Sequence, residues 1–305
     1  MKKIALFLLV IFAIPLTLID AGAETIGLLL TGDSPYYIAL QQGFTEELEK
    51  QGLGPGAYDL LVQKPAPATM AWKNAARKIV VLEAKVIVAM GSAAAINIIE
   101  ETKTIPVVFA SVSDPAGLGI SGENVTGLSA KMPIGGLLKN LKRIVNFSKL
   151  GVVYSKDEKE SIKQAEEVEK YGAQLGFATV RFDFDETAQG TAFPGVDALL
   201  LTTSCAANKA IGTVCETARA TKIPVASLMS GGEEKGILLT LSGNPQAQGK
   251  AAAQMVASVL KGTKPSAIPV DSSTKPEMIL NLQEAKVLGF NIPFDLLAVM
   301  TRVIK

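Results

Sequence analysis

The chain repeats itself. "AKVIVAMGSAAA" (84–95), leading into "TKTIPVVFAS" (102–111), is matched by "VDALLLTTSCAA" (196–207), leading into "ATKIPVASLMS" (220–230). Each copy runs from a β-branched or leucine strand through a small polar turn into a helix, then into an Ile-Pro-Val strand. The helix of the second copy is a few residues longer. Two such units restrict the fold to a pair of similar α/β lobes, because strand-helix alternation builds a parallel sheet with helices on both faces.

The rest of the chain follows the same rhythm. The first half predicts strands at Thr25–Leu30, Tyr58–Gln63, Val86–Met90 and Val107–Ala110. The second half predicts Leu150–Tyr154, Ala178–Asp183, Ala198–Leu201 and Val225–Ser227, with one helix from Ala206 to Thr221. The tail is less regular. It predicts a strand at Ile237–Leu241, a helix capped by Asn244-Pro245 and running to about Leu260, and a strand at Glu277–Leu280. Asn281 with Glu284 reads as a capping box, and 295–303 as a last helix. Two six-stranded lobes that exchange segments would accommodate this tail.

Composition narrows the function. Hydrophobic residues make up 48% of the 305 and charged residues 19%, enough for a large core. Residues 1–23 read as a signal peptide: Lys2 and Lys3, an apolar run, then Ala21-Gly22-Ala23 as the cleavage site. Taking Lys2, Lys3 and Asp20 from 30 basic and 29 acidic residues leaves 28 of each. No positive excess remains to hold nucleic acid or an anionic membrane. The chain has no histidine, which removes Ser-His-Asp and Cys-His catalysis and the common zinc sites. Neither a metal nor a cofactor is expected. Cys205 and Cys215 are the two cysteines; ten residues of helix hold them beyond the ~7 Å limit for a disulfide, so two reduced thiols are expected.

Five segments then carry a family likeness: "GFTEELEKQG", "IPVVFASVSDPAGLGISGENVTGLS", "KLGVVYS", "KIPVASL" and the closing "LNLQEAKVLGFNIPFDLLAVMTRVIK". In this order and spacing the chain resembles the ABC-transporter substrate-binding family that includes tryptophan- and tyrosine-binding proteins. The likeness spans essentially all of the chain after residue 23. It implies a type I periplasmic-binding fold: two doubly wound Rossmann-like lobes joined by three crossovers, with a ligand cleft between them. Lobe 1 would be 24–130 plus 242–270, and lobe 2 would be 131–241 plus 271–305. The function implied is capture of a small ligand, an amino acid or carboxylate-like molecule, for an ABC permease in the inner membrane. The protein would be a soluble, monomeric periplasmic one without enzymatic chemistry. Two rivals stay open: a ligand-sensing module for a membrane receptor, and an exported hydrolase built on carboxylates, for which no Asp/Glu pair stands out.

Ligands of open α/β sheets lie beyond the carboxyl ends of the strands, and these turns supply the candidate residues. Gly91, Ser92 and Ala93 open a helix with almost no side chain; with Ser92 as cap, the free N–H groups would receive a ligand anion. Thr203, Ser204 and Cys205 are the copy in the second half. Gly32, Asp33 and Ser34 follow the first strand, Ser34 doubling as a helix cap, and Tyr36 is placed to stack on a ligand. Ser113 and Asp114 follow the fourth strand, where Asp114 could accept a hydrogen bond from an ammonium or simply build a turn. Tyr154 and Ser155 end one strand of the second half and Met229 another. Asn244 reaches toward the cleft or caps its helix.

Three features read as structure alone. The glycines of "GLGISG" (117–122) lack the helix and the acidic residue that a dinucleotide site requires. Trp72 reads as packing, and "KDEKESIKQAEEVEK" (156–170) as a solvated helix face. The chain also departs from the resemblance. Amino-acid-binding members often carry acids after the eighth strand and a Gly-x-Asp at the next crossover. Here those segments are "SLMSGGEEKG" and "LSGNPQ", so the anchor for an ammonium group is missing from its usual place. A neutral or purely anionic ligand stays open beside an amino acid.

Overall fold

Strand after strand in this chain is apolar along its whole length rather than at alternate positions. The computed structural model shows why: both faces of each sheet are covered by helices. It describes residues 24–185, 192–272 and 275–305. The signal peptide assigned to residues 1–23 lies outside these. Among the described residues no helix is long and apolar enough to cross a membrane.

The first sheet comprises β1 (Glu24–Leu30), β2 (Tyr58–Gln63), β3 (Val86–Met90), β4 (Val107–Val112) and β5 (Val125–Ser129). Their order is β2-β1-β3-β4-β5, all parallel. Helices α1 (Pro35–Lys50) and α8 (Pro245–Leu260) cover one face, where Leu40, Phe44, Val108 and Val256 share one apolar cluster. Helices α2 (Thr69–Val81) and α3 (Ser92–Glu101) cover the other, around Ile79, Ile87, Ile98 and Phe109.

The second sheet comprises β6 (Lys149–Tyr154), β7 (Ala178–Asp183), β8 (Ala198–Leu201), β9 (Val225–Ser227), β10 (Ile237–Ser242), β11 (Glu277–Asn281) and β12 (Arg302–Ile304). The order is β12-β11-β10-β9-β8-β6-β7, parallel except where β11 runs against β10. Helices α4 (Ile134–Ile144), α5 (Lys159–Leu175), α9 (Leu282–Leu288) and α10 (Phe294–Leu297) pack on one face around Leu138, Leu150, Val168 and Leu296. Helices α6 (Cys205–Lys209) and α7 (Ile211–Ala220) close the other.

The backbone passes between the sheets three times: after β5, after β10 and near Asp271. At the last passage Asp271 pairs with Leu128, donating its N–H to Gly127 O at 3.0 Å and accepting from Ser129 N at 2.8 Å.

Three expectations are corrected. The sheets hold five and seven strands rather than six each. The excess comes from 295–303, expected as helix, which forms the four-residue α10 and then leads into β12. Thr301 exchanges bonds with Met278, its N–H reaching Met278 O at 2.8 Å and its Oγ1 accepting from Met278 N at 3.0 Å. The β-branched Val303 and Ile304 suit that edge position. The helix expected over 206–221 breaks at Ala210 into α6 and α7. Finally, the capping box is half made: Asn281 accepts from Glu284 N at 3.1 Å, but the Glu284 carboxylate pairs with Arg219 of α7 instead.

Candidate functional site

Each sheet reverses its strand order once, between β1 and β3 in the first and between β6 and β8 in the second. Such switch points are where doubly wound sheets bind ligands. Here the two switch points face each other. Cys205 Sγ, at the start of α6, lies 3.5 Å from Thr31 O beyond β1, and the Ser34 hydroxyl lies 3.6 Å from Met229 Sδ. Gly32 is glycine because this approach leaves no room: a Cβ there would stand 1.9 Å from Cys205 Sγ. Gly91 is glycine for two reasons. Its φ of 94° lies in the left-handed region, and a Cβ would come within 2.4 Å of both Thr31 Oγ1 and Tyr37 Oη.

The α3 start is not bare, which corrects the expectation that Ser92 caps it. Gly91 is the N-cap and Ser92 is already helical. The N–H of Ala94 is taken by Thr31 Oγ1 at 3.2 Å, and the Ser92 hydroxyl bonds to Glu160 from the first turn of α5. Glu160 Oε1 also accepts from Ser113 N at 2.6 Å, so one carboxylate of the second sheet's side ties two turns of the first. The equivalent start in the second half does have its serine cap, with Ser204 Oγ accepting from Ala207 N at 3.4 Å. It too meets an internal carboxylate: Glu158 accepts from Cys205 N at 2.7 Å. Ser34, expected as a cap, makes no side-chain cap bond, because its hydroxyl points to Met229.

Burial governs both glutamates, which are 5% and 6% exposed. Loss of hydration pushes Glu158 up to about 8, against the hydrogen bonds from Cys205, Ser204 and Ala206. The same cause raises Glu160, opposed by its bonds to Ser113 and Ser92. The segment read as a solvated helix face therefore hides two buried acids at its start. The signal that could have found them is the spacing of Ser161, Gln164, Ala165, Val168 and Gly172, a small and polar stripe at helical period, all buried.

Between the lobes sits a cavity of about 10 Å³, room for about one water. Tyr36, Tyr37, Ser111 and Ser113 reach it from the first sheet's turns, and Glu160, Thr203, Leu228 and Met229 from the second's. It shares Ser113 and Met132 with an outer pocket of about 580 Å³ that Asp114, Lys131, Gln164 and Glu167 also line. Two glutamines brace the walls. Gln248 Oε1 accepts from Ser111 N at 2.8 Å, while Gln164 Oε1 accepts from Thr203 N at 2.8 Å and Thr203 Oγ1 at 3.0 Å. Ser111, at φ 59°, donates from Oγ to Tyr36 Oη at 2.9 Å.

The structure thus brings Tyr36, Ser113, Thr203 and Met229 to the cavity wall. Gly32, Ser34, Gly91, Ser92, Ala93, Ser204 and Cys205 are buried in the packing around it. Asp33 stands exposed at the rim, 4.0 Å from Lys209 across the cleft. Asp114 builds the expected turn, accepting from Gly117 N at 2.9 Å, and lines the outer pocket. Tyr154 and Ser155 lie away from both pockets: Arg181 stacks over Tyr154 at 5.6 Å, and Ser155 Oγ accepts from Asp157 N at 3.3 Å. Asn244 caps α8 through Ala247 N at 2.9 Å and borders a separate pocket of about 380 Å³. Glu160, Ser111, Met132 and the two glutamines were not singled out by sequence. Trp72, read as packing, is buried and also donates Nε1–H to Thr31 O at 2.7 Å.

Known proteins give this geometry a context. A curated relative, the tyrosine-binding protein of Clostridioides difficile strain R20291, is 24% identical over 281 residues, covering 87% of this chain and 81% of the relative. The structure of an ABC domain from Streptococcus pneumoniae in complex with L-Trp aligns with a TM-score of 0.86 at 24% identity, covering 92% of this chain and all of that one. A ligand-free, open structure of a Clostridium difficile substrate-binding protein with adhesive properties aligns at 0.65 and 25% identity, covering 93% and 99%. Two doubly wound lobes joined by three crossovers are the type I periplasmic-binding fold. Over residues 26–304 the sequence matches the family model described as ABC transporter substrate binding protein, and the chain belongs to that family.

Proposed function

We propose that this protein is the exported solute-binding component of an ABC importer. It captures a small organic ligand between lobe 1 (24–130 plus 242–270) and lobe 2 (131–241 plus 271–305) and hands it to a membrane permease. Export removes residues 1–23 after Ala23, the mature protein is a periplasmic monomer, and binding involves no chemistry. The observation that carries this reading is the cleft at the meeting of both switch points: a small cavity walled by side chains from both sheets, sharing Ser113 and Met132 with an outer pocket of about 580 Å³. A ligand that touches both lobes favours the closed population by its differential contacts. The better superposition on the L-Trp complex than on the open relative supports reading the contacts across the cleft as the closed arrangement. The tyrosine and L-Trp of the relatives make aromatic amino acids the first ligands to try.

A thermal-shift screen of residues 24–305 against amino acids, aromatic acids, purines, sugars and short carboxylates tests it. A ligand at 100 times its Kd adds about 2.7 kcal/mol, a rise of several degrees. Absence of any shift across the panel, with protein refolded to strip bound ligand, would count against small-ligand capture.

A further inference from the structure

Glu160 is the only charged side chain that lines the deep cavity among the described residues. It is 6% exposed, and its hydrogen-bonding partners, Ser113 and Ser92, are uncharged. Among the described residues no lysine or arginine lines the cavity. Asp114, whose charge acts on this carboxylate from nearby, is itself acidic. The other candidate acids lie elsewhere: Asp33 at the exposed rim, Glu233 folded back on Gly231 N at 2.9 Å, and Asp114 in the outer pocket, accepting from Gly117 N at 2.9 Å and 3.7 Å from Lys163. The rest of the wall is uncharged: the hydroxyl-bearing Ser111, Ser113 and Thr203 beside the apolar Ala130, Met132, Leu228 and Met229. A buried carboxylate without a cation is costly as an anion; burial pushes Glu160 toward its protonated form, and a positive charge on the ligand would hold it ionised.

We propose that Glu160 sets the ligand class of this cleft: a small molecule with a protonated primary amine, held at the Glu160 carboxylate, while molecules whose only charge is a carboxylate are refused. This rests on the reading of the chain as a solute-binding protein. Serines 92 and 113 hold the carboxylate from the opposite lobe, so a ligand that pairs with it is gripped only when the lobes meet. The rest of the ligand runs past Met132, an adaptable side chain, into the outer pocket of about 580 Å³. The anchor that the family places after the eighth strand is in this chain supplied from the start of α5.

The test uses three matched sets of probes in calorimetric titrations: aromatic and aliphatic L-amino acids, the amines that lack their carboxylates, and the acids that lack their amino groups. Every binder is expected to carry the amine, and removal of the amine should weaken binding by about 100-fold. Glu160→Gln, which keeps an acceptor for Ser113 N, should weaken amine-bearing ligands by about 10- to 100-fold and leave any binding of des-amino acids unchanged or improved. Des-amino acids that bind as tightly as their parents would overturn the proposal, as would unchanged affinity of Glu160→Gln for the parents. Either result leaves small-ligand capture standing. If no member of any set binds, the proposal and that reading fall together. Should Glu160→Gln not fold, the comparison of parents with des-amino acids on the unaltered protein decides alone.

Discussion

Cys205 and Thr31 are 174 positions apart and belong to different sheets, yet the sulfur of one lies 3.5 Å from the carbonyl oxygen of the other. The contact exists because Gly32, next to Thr31, has no side chain. Alanine there could be met by rotating the thiol, whereas valine adds two methyl groups beside Cys205 Cβ, which would already stand 3.6 Å from the new Cβ. Gly32→Val is therefore expected to hold the lobes apart and to weaken ligand binding by tenfold or more, with little loss of thermal stability. Titration calorimetry and small-angle scattering check this. Unchanged affinity would show that the closed complex does not bring these turns together.

Glu158 gives a pH signature of the opposite sense to an ordinary surface carboxylate. In the folded protein burial pushes it up to about 8, above the ordinary carboxylate value of 4.5. Folding is therefore helped by the protonated form. That contribution is complete below about pH 4.5 and is lost as pH rises through about 8. The groups that face it are Ser204, the N–H groups of Cys205 and Ala206, and Glu160. Glu158→Gln should remove this slope, raising the melting temperature at pH 8 relative to the unaltered protein and changing it little at pH 5. A parallel pH profile for the two proteins would sink the assignment.

Strand positions were legible because buried parallel strands are apolar throughout, and Val86–Met90 and Ala198–Leu201 were found with their limits intact. The tail was harder. Nothing local distinguishes a helix from an edge strand at "TRVI"; the choice is made by Met278, 23 residues away in the sequence, which offers Thr301 its hydrogen bonds. The site was harder still. Tyr36, Ser113, Thr203 and Met229 follow from the rule that sites lie beyond strand ends. Glu158 and Glu160 do not, because among lysines and glutamates their spacing fits a solvated surface equally well. Only the approach of the second lobe to α3 buries Glu160. Gln164 and Gln248 escaped for the same reason: the N–H groups they satisfy, at Thr203 and Ser111, are distant in sequence.

Those two glutamines invite a paired test. Each fills a partly buried backbone N–H that no strand satisfies, and the loss of such a partner costs about 1 kcal/mol. Gln248→Leu should lower stability by that amount in urea unfolding, since Gln248 is fully buried against Ser111. Gln164→Leu should do the same and also weaken ligand binding, because Gln164 Nε2 lies 3.5 Å from Ser113 Oγ across the cleft. Neutral effects of both on stability would show that other groups or water satisfy the two turns.

The cysteines supply a probe of lobe motion that needs no substitution. Neither is in a disulfide and both are buried, but in different surroundings. Cys205 packs between the lobes, in one apolar cluster with Leu30, Tyr37 and Met90 of the first. Cys215 lies inside the second lobe with Leu199, Val214 and Ile237, and burial pushes its thiol up to about 12. Opening of the cleft exposes the first and leaves the second covered. In the native protein iodoacetamide is therefore expected to alkylate Cys205 alone, at a rate set by opening. A ligand that closes the lobes should slow that reaction by a factor near 1 + [L]/Kd, about 100-fold at 100 times its Kd, while Cys215 reacts only after unfolding. Peptide mass spectrometry reads both sites in one experiment. Equal labelling of the two cysteines would mean that global unfolding exposes them together, and labelling of Cys205 indifferent to a saturating ligand would mean that binding does not close this interface.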